Sequence, residues 1–303
     1  MRTLYKSGNG YCFIGDVVRV PLVNLKEILG AAAGEDWAAG SFSVSNMEMV
    51  LGVLQAAEET GSPVILQIAE VRLKHSPLEL IGPLMVAAAE NAGVPVAVHF
   101  DHGTTLAAVQ TALDIGFTSV MIDGSRLPFE ENAALTRKVK KMADDYGADT
   151  EAEIGSVGGS EDGSEHIAVN CTDPAQAVDF LKKTGVDALA VAIGNAHGNY
   201  KQAPQLRFDI LESIGRQVST PLVLHGGTGL TPGDFRRCIQ NGVKKINIAT
   251  ATFDAVEEAV RRAFEAKAVA GYYDIQTAEV NGAYENALKH IEIFGCAGKA
   301  DII

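Results

Sequence analysis

The sequence is short of positive charge: 25 Lys and Arg against 38 Asp and Glu leave a formal charge of −13. Nucleic acid and anionic membrane surfaces both require a basic face, so neither is expected as a partner. An anionic small molecule remains admissible, because it needs only a local pocket of suitable donors. Cysteine is sparse as well. Cys12, Cys171, Cys238 and Cys296 are scattered, with no CxxC pair and no framework spacing, and they read as free thiols of a reducing cytoplasm. The opening segment MRTLYKSGNGYCFIG has neither the apolar core nor the small-residue cleavage site of a signal peptide. No apolar run reaches ~18 residues without polar interruption, so no membrane-spanning helix is expected. A Gly-rich fingerprint after the first strand, which a doubly wound dinucleotide-binding sheet would carry, is also missing.

What is present is a large core: 303 residues, 47% of them hydrophobic, with a mean hydropathy of +0.10. Eight short segments of β-branched or small apolar residues end in Gly, Asn, Asp or His. They are GSFSVSN (40–46), PVILQIAE (63–70), PVAVHFDHG (95–103), SVMIDGS (119–125), TEAEIGSVGG (150–159), ALAVAIGNAHG (188–198), PLVLHGGTG (221–229) and KKINIAT (244–250). Near-continuous apolar strands of this kind belong to parallel sheets covered on both faces. Segments of helical periodicity lie between them. DPAQAVDFLKKTG, for instance, has Asp at the N-cap position, Pro in the first turn and Gly just past the end. Eight strand–helix alternations over roughly 250 residues predict an α/β fold, a (β/α)8 TIM barrel. We expect one domain over 1–303, with barrel strands over about 40–250 and a C-terminal helical extension over about 251–303. NLKEILGAAAGEDWAAG, ahead of the first strand, is expected to close the bottom of the barrel.

Barrel chemistry sits at the C-terminal ends of the strands, and the polar residues fall there repeatedly. Strand 3 ends in Asp101 and His102, strand 4 in Asp123, strand 6 in NAHG with His197, and strand 7 in LHGG with His225. Three histidines on three strand ends converge on one mouth and point to a three-histidine metal site. A catalytic zinc takes three protein ligands and keeps an open position. Asp101 is then either an acid/base over the metal or a partner of its ligands. HGGTG after strand 7 and NIAT after strand 8 supply backbone N–H groups and hydroxyls where barrels usually cradle phosphate. Strand 5 runs into a long Gly-, Ser- and acid-rich loop with the composition of a mobile lid. Glu151 and Glu153 alternate along that strand, so both face one side, the barrel interior, as a cation site or a buried salt bridge.

HFDHG, SVMIDGS, EAEIGSVGGSED, TGVDALAVAIGNAHGNY, PLVLHGGTG and KINIAT resemble, in order, the motifs of the class II metal-dependent fructose- and tagatose-bisphosphate aldolases. The resemblance runs from strand 1 to the ending IEIFGCAGKA. It implies a Zn²⁺ held by His102, His197 and His225, with Asp101 as the catalytic acid/base. It places a second, alternate metal position at Asp123 and Glu153, which could also take a monovalent cation. The dihydroxyacetone phosphate contacts it implies are Gly198, Gly226, Gly227, Thr228, Asn247, Ile248, Ala249 and Thr250. Glu161 corresponds to the lid glutamate that moves the substrate's carbon-bound proton. His99 would support the site from behind. The partner it implies is a small sugar phosphate, and members of the family are homodimers or homotetramers. The activity implied is an aldehyde-lyase one, on a ketose 1,6-bisphosphate of fructose or tagatose type.

Three rival readings fit the residues less well. A Schiff-base aldolase needs an inward lysine; strand 6 has none, and Lys244 and Lys245 lie toward the N-terminal end of strand 8. A zinc hydrolase would have no use for the phosphate cradle and lid carboxylate, and an inactive sugar-phosphate binder would not retain every matched catalytic residue. On the aldehyde side the sequence departs from the family. Ser43 stands where relatives usually place Asn, Ala69 near a position where some use Ser, and no Arg follows Arg262; on the dihydroxyacetone phosphate side, Ala249 stands where many fructose enzymes carry Asp or Asn and tagatose-type relatives commonly have Ala. A bidentate Arg is the usual phosphate clamp. The expectation is therefore a ketose bisphosphate, with Arg126 or Lys74 on the distal phosphate. The alternative is a ketose 1-phosphate whose aldehyde half is unphosphorylated.

Overall fold

The computed structural model describes residues 5–7, 10–12, 21–159, 169–199, 204–267 and 269–303. Eight parallel strands close into a barrel: β1 (Ala39–Ser43), β2 (Val64–Ala69), β3 (Val96–Gly103), β4 (Ser119–Ile122), β5 (Asp149–Ile154), β6 (Ala188–Val191), β7 (Leu222–Leu224) and β8 (Val243–Ile248). The strands pair in sequence order and β8 closes on β1, with Ile246 opposite Gly40 and Ile248 opposite Phe42. This is the expected (β/α)8 barrel.

Alternation sorts the strand residues into two sets. Phe42, Leu66, Val98, Phe100, Val120, Ala152, Ile246 and Ile248 face the helical layer and are fully buried there. Each such aliphatic side chain contributes about 1.5–3 kcal/mol of burial. The inward set is unlike the Val, Ile and Leu layers that fill most barrels. Beside Ile65, Ala97, Met121, Ala190 and Val223 it carries Ser41, Ser43, Gln67, His99, Asp101, Ser119, Glu151, Glu153, Lys245 and Asn247, all buried. This polar interior makes the barrel mouth a site.

The helices follow their sequence signals. In Pro174–Thr184 the Asp173 side chain accepts from the Gln176 N–H at 2.9 Å, and Gly185 ends the helix in the left-handed conformation. The helix Leu25–Ala31 lies at the strands' N-terminal end, since Val23 N–H donates to Val96 O and Lys26 N–H to Asp149 Oδ2. After β8 come two helices, α1 (Thr250–Glu265) and α2 (Tyr272–Phe294). No helix among the described residues is long and apolar enough to cross a membrane.

α2 carries a histidine into an aromatic nest. His290 is buried, with its ring 5.6 Å from Phe294, 6.2 Å from Phe235 and 6.5 Å from Phe42, and its Nδ1 lies 2.8 Å from Asn286 O. Burial lowers its pKa to about 4, against 6.5 for a free imidazole. The unfolded chain therefore binds more protons than the fold between those values, and stability rises with pH across that window. The contribution is complete above 6.5 and lost as pH falls through 4, in all about 3 kcal/mol at ~1.4 kcal/mol per unit. His290→Leu should lose less stability than the parent between pH 7 and 4.5, measured by urea unfolding at each pH. Equal losses in the two proteins would contradict this.

Candidate active site

The site begins with an irregularity in β3. Pairing with β4 steps from Phe100–Val120 to Gly103–Ile122, so three residues on β3 span two on its neighbour. Consecutive strand residues point to opposite faces; the bulge lets Asp101 and His102 both turn into the mouth. His102 takes φ 44°, a left-handed conformation that a non-glycine side chain adopts at a cost. Its Nδ1–H donates to Asp123 Oδ2 at 3.0 Å, leaving Nε2 toward the barrel axis. Burial alone would raise the Asp123 pKa, but the His102 hydrogen bond holds it well below the usual carboxylate range.

His197 and His225 arrive from the loops after β6 and β7. The His102 ring lies 4.9 Å from that of His197 and 4.6 Å from that of His225, and ligand nitrogens of all three fall within 4.8 Å of one another. His197 N–H donates to Gly158 O at 2.7 Å, tying the β6 loop to the β5 loop. His225 is held from two sides. Its Nε2–H donates to Glu151 Oε1 at 2.8 Å, and its backbone carbonyl accepts from Asn195 Nδ2 at 2.9 Å. Burial and the neighbouring His102 would lower the His225 pKa, yet Glu151 and Glu153 raise it to about 9. The ring thus sits where positive charge is favoured.

The donor set fits a cation. His225 Nδ1 and Glu153 Oε2 are both buried and face each other as charges 3.1 Å apart, out of hydrogen-bond alignment and with no other hydrogen-bond partner. Buried polar atoms left in this way are costly unless something else engages them. Three imidazoles facing one point suit a borderline divalent ion such as Zn²⁺. Glu151 behind His225 is the carboxylate that commonly orients a metal-binding histidine. A bound ion would displace the proton that His225 otherwise holds. His102, Asp123 and Glu153 form a second group of the same kind beside the first.

Asp101 stands next to the three rings, its Oδ2 4.0 Å from His102 Nε2. Its oxygens are aimed by two amides, Gln67 Nε2 on Oδ2 and Asn247 Nδ2 on Oδ1, each at 3.1 Å. Gln67 is in turn held by Ser41 and Ser43. Behind Asp101, His99 pairs with Ser119 Oγ at 2.8 Å, and burial with the Lys245 charge alongside lowers its pKa to about 3. It is a neutral support.

Facing the rings is a small cleft lined by His197, Gly198, Gly226, Gly227, Thr228, Asn247, Ala249 and Thr250. The last of these opens α1, so the cleft lies at a helix N-terminus, the end of a helix that favours an anion. Thr228 Oγ1 accepts from Ala251 N–H at 3.1 Å and so joins the two loops. Glu161 and the rest of the lid segment at 160–168 lie outside the described residues.

Four contributors were not legible. Gln67 and Asn195 are neutral amides without any flag, Ser41 looks like strand filler, and the chain position of Lys245 sets it below the site. Lys245 is fully buried inside the barrel, and its Nζ reaches up to 2.9 Å from Glu151 Oε2 and 2.7 Å from Asn247 Oδ1. It is nevertheless no Schiff-base lysine. Its nitrogen is enclosed and engaged by a carboxylate, whereas that chemistry needs a free amine open to substrate.

The chain has counterparts among known proteins in both sequence and fold. The family model for fructose-bisphosphate aldolase class-II matches residues 23–299. A Staphylococcus aureus fructose-bisphosphate aldolase is 41% identical over 247 residues, covering 80% of this chain and 86% of that protein. A Staphylococcus epidermidis fructose-bisphosphate aldolase matches to the same extent. The crystal structure of the YdjI aldolase from Escherichia coli K12 superposes with a TM-score of 0.83 at 35% identity, over 92% of this chain and 99% of that one.

The cleft makes a stability prediction. Gly226 has φ +63°, and a Cβ there would lie 2.2 Å from Ala196 O; Gly198 has φ +78° but open space around it. Gly198→Ala should cost only the backbone term, about 1–2 kcal/mol. Gly226→Ala should cost clearly more, because it also separates the β6 and β7 loops. Denaturant unfolding measures both, and the reverse order would contradict the geometry.

Proposed function

The chain belongs to the class II fructose-bisphosphate aldolase family, and we propose that it cleaves a ketose 1,6-bisphosphate reversibly to dihydroxyacetone phosphate and glyceraldehyde 3-phosphate, with fructose bisphosphate as first candidate. This is an aldehyde-lyase reaction. The observation that carries the reading is the convergence of His102, His197 and His225 beside Asp101 and next to a glycine-rich cleft at a helix N-terminus. The three histidines would hold Zn²⁺, with Asp123 and Glu153 offering an alternate position for a second metal or a monovalent cation. A divalent ion there supplies Lewis-acid polarisation of the substrate's ketone and neighbouring hydroxyl oxygens.

The chain's own residues do the rest. Gly198, the run Gly226 to Thr228 and the run Asn247 to Thr250 bind the phosphate of the dihydroxyacetone half and set its orientation. In cleavage, Asp101 takes the proton of the hydroxyl on the carbon that becomes the aldehyde. The carbon–carbon bond breaks, and its electron pair passes to the dihydroxyacetone phosphate half. A carboxylic acid then protonates the carbon of the dihydroxyacetone phosphate half that kept this pair, a role the family motif gives to Glu161. In condensation the steps reverse, and Asp101 delivers its proton to the aldehyde oxygen. The two amides on Asp101 keep the carboxylate aimed in both directions.

A phosphorylated aldehyde is favoured over a free one by relatives that carry the name fructose-bisphosphate aldolase at 41% identity. The departures at Ser43 and Ala69 weigh less, because both are buried and Ser43 Oγ is engaged by Gln67. Lys74 and Arg126 remain the candidates for the distal phosphate. A homodimer or homotetramer in the cytoplasm completes the reading, in keeping with free thiols at Cys171, Cys238 and Cys296.

A strong chelator should abolish cleavage of fructose 1,6-bisphosphate, and Zn²⁺ or Co²⁺ should restore it. Asp101→Ala should keep its metal while turnover falls about 10²–10⁴-fold, the usual share of a general acid/base. Full activity in chelator, or loss of metal from Asp101→Ala, would contradict the proposal.

A further inference from the structure

Lys245 has no part in the chemistry above, yet it sits at the centre of the barrel. Its side chain is fully buried, and the charged or titratable groups around it are Glu151 and His99. Stability alone gives no reason for such a pair, since well-packed apolar side chains often replace a buried ion pair without loss. Its two contacts are more informative. Glu151 divides its oxygens: Oε2 faces Lys245 Nζ at 2.9 Å and Oε1 accepts from His225 Nε2 at 2.8 Å. With that hydrogen on Nε2, Nδ1 is the nitrogen His225 turns to the other two histidines.

The second contact sets an amide. Asn247 Oδ1 accepts from Lys245 Nζ at 2.7 Å while Asn247 Nδ2 donates to Asp101 Oδ1 at 3.1 Å. An asparagine can rotate its amide by half a turn, exchanging oxygen and nitrogen. An ammonium is donor-only and tolerates only the oxygen opposite it. The lysine therefore dictates that Asn247 presents N–H, and not C=O, to the Asp101 carboxylate.

We infer that Lys245 is a positioning residue for the aldol reaction: one ammonium group fixes both the nitrogen that His225 offers to a cation and the hydrogen bond that aims Asp101. The inference rests on the proposed three-histidine cation site. It acts through Glu151 on one side and through Asn247 on the other, and Lys245 touches neither substrate nor ion.

The test uses Co²⁺ as probe, with affinity measured by chelator competition on the full-length protein. Wild type is compared with Lys245→Met, Glu151→Gln, the double variant and His102→Ala. Lys245→Met should bind Co²⁺ at least tenfold more weakly, the loss typical of partners behind a metal-binding histidine. Because the effect passes through Glu151, the double variant should bind no more weakly than the weaker single one. With metal saturating, Lys245→Met should lower kcat at least tenfold while KM for the sugar bisphosphate moves less than about threefold, as a misaimed Asp101 requires.

A folded Lys245→Met that binds Co²⁺ within twofold of wild type, or two losses that multiply, would overturn the inference. If Lys245→Met fails to fold because Glu151 has lost its countercharge, the double variant decides alone. It has no buried charge left unpaired, and wild-type cobalt affinity in it would overturn the inference. Wild-type affinity in His102→Ala would instead show that the cation site itself is misplaced. That failure falls on the proposed function, takes the inference with it, and is recognised by a different variant.

Discussion

The interior of this barrel depends on one buried ion pair, Glu151 with Lys245. Both side chains are fully enclosed, and neither could remain charged there alone. Burial by itself would push the Glu151 carboxyl up, but the Lys245 charge and the His225 hydrogen bond keep it well below the usual range. An ionised Glu151 can therefore orient His225, and Lys245 can at the same time hold Asn247. The histidines, the aimed aspartate and the phosphate cleft are all built on strands whose inward faces this pair makes compatible with burial.

Polarity divides the two faces of each strand. Toward the helices the strands are aliphatic and aromatic, as close packing requires, while the inward faces carry hydroxyls, amides, carboxylates and imidazoles joined by hydrogen bonds. Such a network resists reorganisation, because moving one member leaves another buried and unsatisfied. That rigidity suits a site whose catalysis rests on aimed dipoles and a fixed ligand set. Strain is confined to a few places, such as His102 at φ 44°.

Much of this could be read from the residues. Strand ends in (β/α)8 barrels share one face, so Asp101, His102, Asp123, His197 and His225 could be assembled from position alone. The two-residue period put Glu151 and Glu153 on one side. The β3 bulge was beyond that reasoning, since strict alternation would send Asp101 and His102 to opposite faces. Lys245 escaped for another reason: sequence position locates a Cα, whereas a lysine's long stem carries its charge to the level of Asn247, two residues on. Gln67 and Asn195 are legible only once their partners are in place, because a neutral amide has no chemistry of its own to announce.

The central claim is that His102, His197 and His225 hold one divalent ion, with Glu151 behind His225. Anomalous diffraction at the absorption edge of the bound metal, from crystals grown with Zn²⁺ or Co²⁺, tests it most directly. The account predicts a peak bonded to nitrogens of all three histidines, through Nδ1 of His225, with Nε2 of that ring still on Glu151. A peak among His99, Asp101 and Glu151, a fully buried group of side chains also able to hold an ion, with the three rings unligated, would contradict it.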